Sequence, residues 1–421
     1  MRIAIIGAGA AGMMVAAKLA EAGLAASVTL FDGNNGLGKK VLISGGGRCN
    51  VTTGNFAVDS MLKNYPRGAK FLKSAMYDFP PEAVYNWFES HGVKLKVEAD
   101  LRVFPVSNDG HDIVGVFQKI FNAKKLDLRL QHKILAVKKL DGGNFELKYQ
   151  DMQSQEPKSE EFDVVVLATG GRAYRATGSV GDGYEFAEAL GHTVTKLGPS
   201  LNALVFAPDS VKADWAGVAI KKAKLKLKQG AEQFEFTGAF VFTHRGISGP
   251  AVFALSAKAA FLTIDQAHLA NLRIDLTSEL SFAEFEMALK SSIKKNPDKM
   301  VANALEIADI PRRIITAVVE ALCLNKKAQH LNDKELNRLV EALKYLDFTV
   351  SGRAAGDEFV TAGGVDLAEV NKDSLESKIC SNLFFAGEIL NIDGFTGGYN
   401  LQASWATGAL VAKNLAKRAK A

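Results

Sequence analysis

Residues 3–23 read IAIIGAGAAGMMVAAKLAEAG, an apolar run, a glycine-rich turn and a second, Ala-rich run in succession. Arg2–Ile6 is a short apolar run of the kind found in a parallel strand buried on both faces. Ala10–Ala22, rich in Ala, Met and Leu, reads as a helix, and Gly23 supplies its C-terminal stop. Between them, Gly7-Ala8-Gly9-Ala10-Ala11-Gly12 is a G-x-G-x-x-G turn. In such a turn Gly7 permits the sharp bend, Gly9 lets a pyrophosphate approach the backbone, and Gly12 lets helix lie close on strand. The helix start at Ala10 and Ala11 offers unpaired N–H groups and partial positive charge to phosphates. Ser27–Phe31 is a second strand, and Asp32 ends it 20 residues beyond Gly12, where a carboxylate accepts from a ribose hydroxyl. This is a βαβ opening built for a dinucleotide. The bland alternative is a glycine-rich turn with no ligand.

The other end of the chain narrows the choice of dinucleotide. No second fingerprint of this type occurs, which argues against a reductase with two nucleotide-binding folds. Phe384-Phe385-Ala386-Gly387-Glu388 ends an apolar strand at a glycine, and Gly394–Gly398 precede a long helix beginning near Asn400. A helix N-terminus placed there suits the pyrimidine end of a flavin, because its partial positive charge stabilises the anionic reduced ring. FAD is the expected cofactor.

Composition sets the outer bounds. The 421 residues are 48% apolar and 23% charged, enough for two or three domains with sizeable cores. Cys49, Cys323 and Cys380 are far apart, which excludes a dithiol motif or a cysteine-rich zinc site and suits a reducing compartment. No apolar run is long enough to span a bilayer, and Met1–Ala26 does not read as a signal peptide. A cytoplasmic protein with no metal is expected. Lys and Arg number 51 against 46 Asp and Glu. The stretch Lys196–Arg353 holds 22 basic and 17 acidic residues, so the whole excess of positive charge lies in this middle segment.

That segment also changes pattern. Strand-like pieces dominate from Lys196 to Leu276, and Ser281–Leu346 reads as several helices with capping boxes at Ser281/Glu284 and Asn332/Glu335 and Pro311 in a first turn. Before it, Lys63–His91 reads mostly helical, Ile134–Lys139 and Phe145–Tyr149 as strands, Asp151–Glu161 as a polar turn, and Asp163–Ala168 as a buried strand running into Thr169-Gly170-Gly171. The expected organisation is α/β: a discontinuous nucleotide-binding domain, 1–195 and 355–421, an inserted β domain, 196–280 and 346–354, and a helical subdomain, 281–345.

Three further segments carry chemistry. In Ser44-Gly45-Gly46-Gly47-Arg48-Cys49-Asn50 the glycines let backbone approach a ligand, while Lys40 and Arg48 suit pyrophosphate charge. Cys49 beside Arg48 is a candidate thiolate or proton donor; a structural thiol is the alternative. In Thr243-His244-Arg245-Gly246-Ile247-Ser248-Gly249-Pro250, His244 is a second candidate proton donor; the alternative is that Ser248 merely caps the following helix. Lys222, Lys224, Lys226 and Lys228 alternate with apolar residues and give one strand a cationic face. That face is either a solvated edge or a contact for RNA phosphates.

Taken together, GAGAAG at Gly7–Gly12, KKVLISGGGRCN at Lys39–Asn50, ATGG at Ala168–Gly171, FTHRGISGP at Phe242–Pro250, AGGVD at Ala362–Asp366 and FAGEILNIDGFTGGYNLQ at Phe384–Gln402 resemble the BaiN/RdsA (YhiN-type) family of FAD-dependent oxidoreductases. The resemblance runs from end to end in the family's order. It implies a Rossmann-like FAD domain of the glutathione-reductase type with an inserted β-barrel-like domain and a helical subdomain. It implies FAD contacts at Gly7, Gly9, Ala10, Ala11, Gly12, Asp32, Lys40, Ser44, Gly46, Gly47, Arg48, Asn50, Ile134, Ala168, Thr169, Gly170, Gly387, Glu388, Gly398, Tyr399, Asn400 and Leu401. Asp32 departs from the Glu more usual in FAD proteins. Family members are linked to reduction of activated double bonds, in bile-acid enones and in a uridine of ribosomal RNA, and others to oxidation of small amines. The expected reaction is therefore hydride transfer from flavin N5 to an electron-poor C=C. NAD(P)H would serve as transient reductant, and Cys49, His244 and Arg48 would lie at the reacting end. An amine oxidase and a non-catalytic flavin- or RNA-binding protein are the alternatives.

Overall fold

The computed structural model describes residues 1–307, 310–354 and 359–420. The chain divides into two compact units, Met1–Ser200 with Glu358–Ala421, and Leu201–Asp357. The border expected at 354/355 falls against residues outside the described ones.

The first unit is built on a five-stranded parallel sheet in the order Leu383–Phe385, Val164–Leu167, Ile3–Ile6, Val28–Asp32, Asp127–Leu130. Ile3 lies opposite Val164 on one side and Val28 on the other. Every residue of Ile3–Ile6 and Val164–Leu167 is buried, as expected of strands covered on both faces. The helices Ala10–Glu21 and Tyr399–Arg418 cover one face. They meet at Gly408, where a Cβ would stand 2.6 Å from the Ala11 carbonyl oxygen. Trp405 of the long helix stacks on Phe117, ring centres 5.6 Å apart.

A three-stranded antiparallel sheet, His132–Lys139, Phe145–Asp151 and Pro157–Phe162, adjoins it. Of Asp151–Glu161, read as a polar turn, residues 152–156 form the hairpin turn and residues 157–161 belong to the edge strand Pro157–Phe162, polar because only Phe162 turns fully inward.

The second unit is a closed barrel in the order Leu204–Phe206, Gly246–Ser248, Glu232–Phe242, Ala219–Gln229, Ala270–Asp275, Tyr345–Arg353. The helices Phe282–Lys295, Arg312–Ala321 and Asp333–Lys344 follow, and both expected capping boxes form. Pro311 is the N-cap rather than the first helical residue. Barrel residues Leu225, Leu272 and Phe348 share one core with helix residues Phe285, Ile314 and Leu339. The helices of segment 281–345 pack on one another, and their core is continuous with that of the barrel. Among the described residues no helix is long and apolar enough to cross a membrane.

Candidate functional site

Three strands of the parallel sheet end side by side, and the glycines at their ends answer to different constraints. Gly7 has φ 104°, and a Cβ there would lie 2.5 Å from the Ala168 carbonyl oxygen. A Cβ on Gly12 would lie 1.8 Å from the Gly7 oxygen, and one on Gly387 would lie 2.8 Å from the Ala11 Cβ. These contacts bring Gly7, Ala11, Gly12, Ala168 and Gly387 together. Gly9 is different: no described atom lies within 4 Å of where its Cβ would stand. The backbone is therefore open at the one glycine that a pyrophosphate must approach. No side chain among the described residues caps the Ala10–Glu21 helix, so the N–H groups of its first turn are left for a ligand.

Asp32 is anchored in this cradle. Its two oxygens accept from the backbone N–H of Ala8 and of Asn34, each at 2.7 Å. Each carboxylate oxygen can accept a second bond, so the side chain is held in place with capacity left for a ribose. Thr169 lies at the neighbouring strand end. Its buried hydroxyl finds no partner among the described residues and lies against Gly183, where a Cβ would stand 1.8 Å from it.

The Ser44–Asn50 segment is more ordered than a loop. Lys39–Ile43 forms a short helix and Ser44–Gly47 a 3₁₀ turn with Gly45, Gly46 and Gly47 all left-handed. Gly46 and Gly47 face open space, whereas Gly45 packs on Phe104. The Ser44 hydroxyl donates to the Val41 carbonyl at 2.7 Å, and the Asn50 side-chain oxygen accepts from Val103 N–H at 3.2 Å.

Two charge expectations are corrected here. Arg48 pairs with Glu98 at 2.7 Å and lies 3.7 Å from the centre of the Phe104 ring. Lys40 pairs with Glu388 at 2.8 Å, and the second Glu388 oxygen accepts from Thr361 N–H at 2.8 Å. Both cations assigned to pyrophosphate are met by carboxylates. Cys49 is corrected as well. It is fully buried, and burial pushes its thiol up to about 12, so it is a core thiol and not a thiolate.

The long C-terminal helix starts at Tyr399 behind Gly398, and no described side chain caps it and no acid lies in its first turn. A Cβ on Gly398 would stand 2.2 Å from the Thr52 carbonyl oxygen. The Asn400 side chain is spent on its own loop, accepting from Gly394 N–H at 2.8 Å and donating to the Gly394 carbonyl at 2.8 Å. Only its backbone remains for a cofactor, and the same holds for Ile134, whose side chain is buried in the core. Leu401 is half-buried.

The sequence reading missed the segment that braces this loop. Asn64 accepts from Phe395 N–H at 2.9 Å, and the Tyr65 hydroxyl donates to the Tyr399 carbonyl at 2.6 Å. Arg67 pairs with Asp393 through two nitrogens, and Asp393 also accepts from Ser200 at 2.7 Å. Asp393 is buried, which pushes its carboxyl up against the opposing pull of Arg67. The only signal in the sequence was Pro66-Arg67-Gly68 as a turn, which says nothing of its partner more than 300 residues away.

His244 lies in the second unit, exposed in the turn between two barrel strands. Thr243 closes that turn by accepting from Gly246 N–H at 3.1 Å. The following helix starts at Pro250 with Gly249 as its N-cap, and Ser248 belongs to a strand, so Ser248 is not the cap. Among the described residues no cluster of His, Cys, Asp and Glu could hold a metal ion.

The open backbone at Gly9, the anchored Asp32 and two uncapped helix starts fit FAD. Fold and cradle place the chain among the FAD-dependent oxidoreductases with a Rossmann-type nucleotide domain. Within that class it belongs to the HI0933-like protein Rossmann domain family, whose model matches residues 1–414. It is 29% identical over 421 residues to the 3-dehydro-bile acid delta(4,6)-reductase of Clostridium scindens, covering 99% of each chain. It is 28% identical over 418 residues to the ribosomal RNA dihydrouridine synthase of Escherichia coli, covering 98% of this chain and 97% of that one. Among solved structures, the 3-ketosteroid delta1-dehydrogenase of Sterolibacterium denitrificans shares the fold with TM-score 0.53 at 10% identity, 99% of each chain being covered.

Proposed function

We propose that the chain is an NAD(P)H-driven, FAD-dependent reductase of an electron-poor C=C bond. The observation that carries this reading is the open backbone at Gly9 before the uncapped Ala10–Glu21 helix, with a second uncapped helix start at Tyr399. The relatives support the bond type: one is named a reductase of a dehydro-bile acid, another a synthase of dihydrouridine, which is uridine with its 5,6 double bond reduced.

In this reading the N–H groups of Gly9, Ala10 and Ala11 hold the pyrophosphate, and Asp32 accepts from a ribose hydroxyl. Gly46 and Gly47, the Ala168–Gly170 strand end and Gly387–Glu388 line the middle of the cofactor, and the backbone of Ile134 lies at its adenine end. Gly398–Leu401 present the helix N-terminus to the flavin. Bound FAD supplies the hydride carrier that connects a nicotinamide nucleotide to the substrate. The chain's own part is to fix that carrier and set a positive helix end against the pyrimidine. The Arg67–Asp393 pair and Asn400 hold that helix start in place. With Cys49 buried and Arg48 paired to Glu98, neither is assigned the proton that completes reduction. Uridine in ribosomal RNA is the favoured substrate, and a small enone is the alternative.

An anaerobic visible spectrum with and without NADPH tests the reading. The purified protein should be yellow and should bleach, and ribosomal RNA treated with it should gain dihydrouridine. A colourless protein that FAD does not reconstitute would overturn the assignment.

A further inference from the structure

The cationic strand of the barrel is not uniform. On Ala219–Gln229, Lys222 forms an ion pair with Glu279, and Lys224 pairs with Glu235 at 3.0 Å. Lys226 lies across the ladder from Glu235 and Arg273, and Lys228 lies across from Gln233 and Asn271. Lys226 helps hold the Glu235 carboxyl down, but the ion pair belongs to Lys224. Arg273 is taken by Asp347, through two bonds of 2.7 and 2.8 Å. Of Lys222, Lys224, Lys226, Lys228 and Arg273, only Lys226 and Lys228 have no ion pair among the described residues.

These two lysines line a groove of about 500 Å³ on the outside of the barrel. Ser210, Gln233, Asn271 and Arg273 complete its polar rim. Its one carboxylate, Asp347, is already spent on Arg273. The floor is formed by Leu272 and Phe348, which are almost fully buried, so no aromatic face is offered to a base. The two ammonium groups spring from alternate residues of one strand, roughly 6.6 Å apart along it, with amide groups beside them. An open concave surface with two uncancelled charges, neutral amides and no stacking platform suits an extended polyanion held by its backbone.

We propose that this groove is a contact for the phosphodiester backbone of RNA, with Lys226 and Lys228 each meeting a phosphate and Lys222 and Lys224 taking no direct part. The proposal rests on the reading of RNA as substrate and adds a surface separate from the flavin cradle. Binding here is independent of base identity.

The test is anisotropy of a fluorescein-labelled 20-nucleotide single-stranded RNA with the full chain carrying its flavin, across a salt series. Two phosphate contacts on a single strand predict that K226Q/K228Q lowers the slope of log affinity against log salt by about 1.4. K222Q/K224Q should leave the slope near that of the parent chain. Flavin content and melting temperature check that each variant is folded. An unchanged slope in K226Q/K228Q overturns the proposal, and so does AMP displacing the RNA at micromolar concentration, which would mark a free-nucleotide site. A parent chain that binds this RNA but does not bleach with NADPH leaves the groove standing and removes the reductase reading. A chain that bleaches but does not bind RNA does the reverse.

Discussion

Gly9 and Gly12 lie three positions apart and do different work. At Gly12 a methyl group would collide with the Gly7 carbonyl, whereas at Gly9 it would enter open space. Gly12→Ala is expected to destabilise the fold by about 1–3 kcal/mol through overpacking. Gly9→Ala is expected to leave the melting temperature of the flavin-free protein unchanged and to weaken FAD binding at least tenfold. Thermal melts and flavin-fluorescence titrations of the two variants separate the packing role from the binding role. The thiols give a second check. Cys323 is exposed, while Cys49 and Cys380 are buried. Ellman's reagent should label one cysteine rapidly in the native protein and all three only after denaturation. Rapid labelling of Cys49 would contradict its place in the core.

At the level of elements, two long-range ties decide how loops sit on the sheet. The first is Arg67–Asp393, which joins the start of the Ala69–Asp78 helix to the loop before Tyr399. Removing one partner of a buried pair leaves a charge uncompensated, at a cost of about 3–5 kcal/mol. Arg67→Met should therefore lower unfolding free energy by that order in urea, and the flavin midpoint potential should fall as the helix end loses its fixed position. The second tie is His192, which follows the Asp182–Ala189 helix. Its Nε2 lies 2.8 Å from the Ser377 hydroxyl, and its Nδ1 lies 3.2 Å from Glu369. Burial holds this imidazole below its ordinary 6.5, outweighing the pull of Glu369. The folded state prefers it neutral. Its contribution to stability is complete above 6.5 and is lost as pH falls through the lowered value. Urea unfolding at pH 7 and pH 5 should show a loss of stability that is smaller in His192→Gln.

For the whole molecule, cofactor and charge act on different units. FAD that binds only the folded cradle, at about 100 times its dissociation constant, stabilises it by about 2.7 kcal/mol. Amide exchange should slow in Ile3–Ile6, Val164–Leu167 and Leu383–Phe385 when flavin is added, and far less in the barrel strands. Equal slowing of the barrel would show that the two cores respond as one. The +5 of the middle segment is already net of its acids and is spread over the whole segment, so salt dependence should report the two groove lysines and not that total.

The cradle was legible in the sequence because its requirements are local. Strand, glycine turn, helix and Asp32 fall within about thirty consecutive residues, and each is specified by backbone conformation and close approach. The capping boxes at Ser281 and Asn332 were legible for the same reason. Tertiary structure decided everything that depends on a distant partner. Arg48 and Lys40 read as phosphate ligands until Glu98 and Glu388 reached them across the fold. Cys49 read as reactive until burial raised its thiol. Of four alternating lysines, Lys222 and Lys224 are paired because Glu279 and Glu235 come from other segments, and among the described residues Lys226 and Lys228 are not. Segment 281–345 read as a helical subdomain, and only packing shows that its core runs on into that of the barrel. A single sequence specifies which groups carry charge or bend the backbone, but only packing assigns their partners and their distance from water, which set what those groups do chemically.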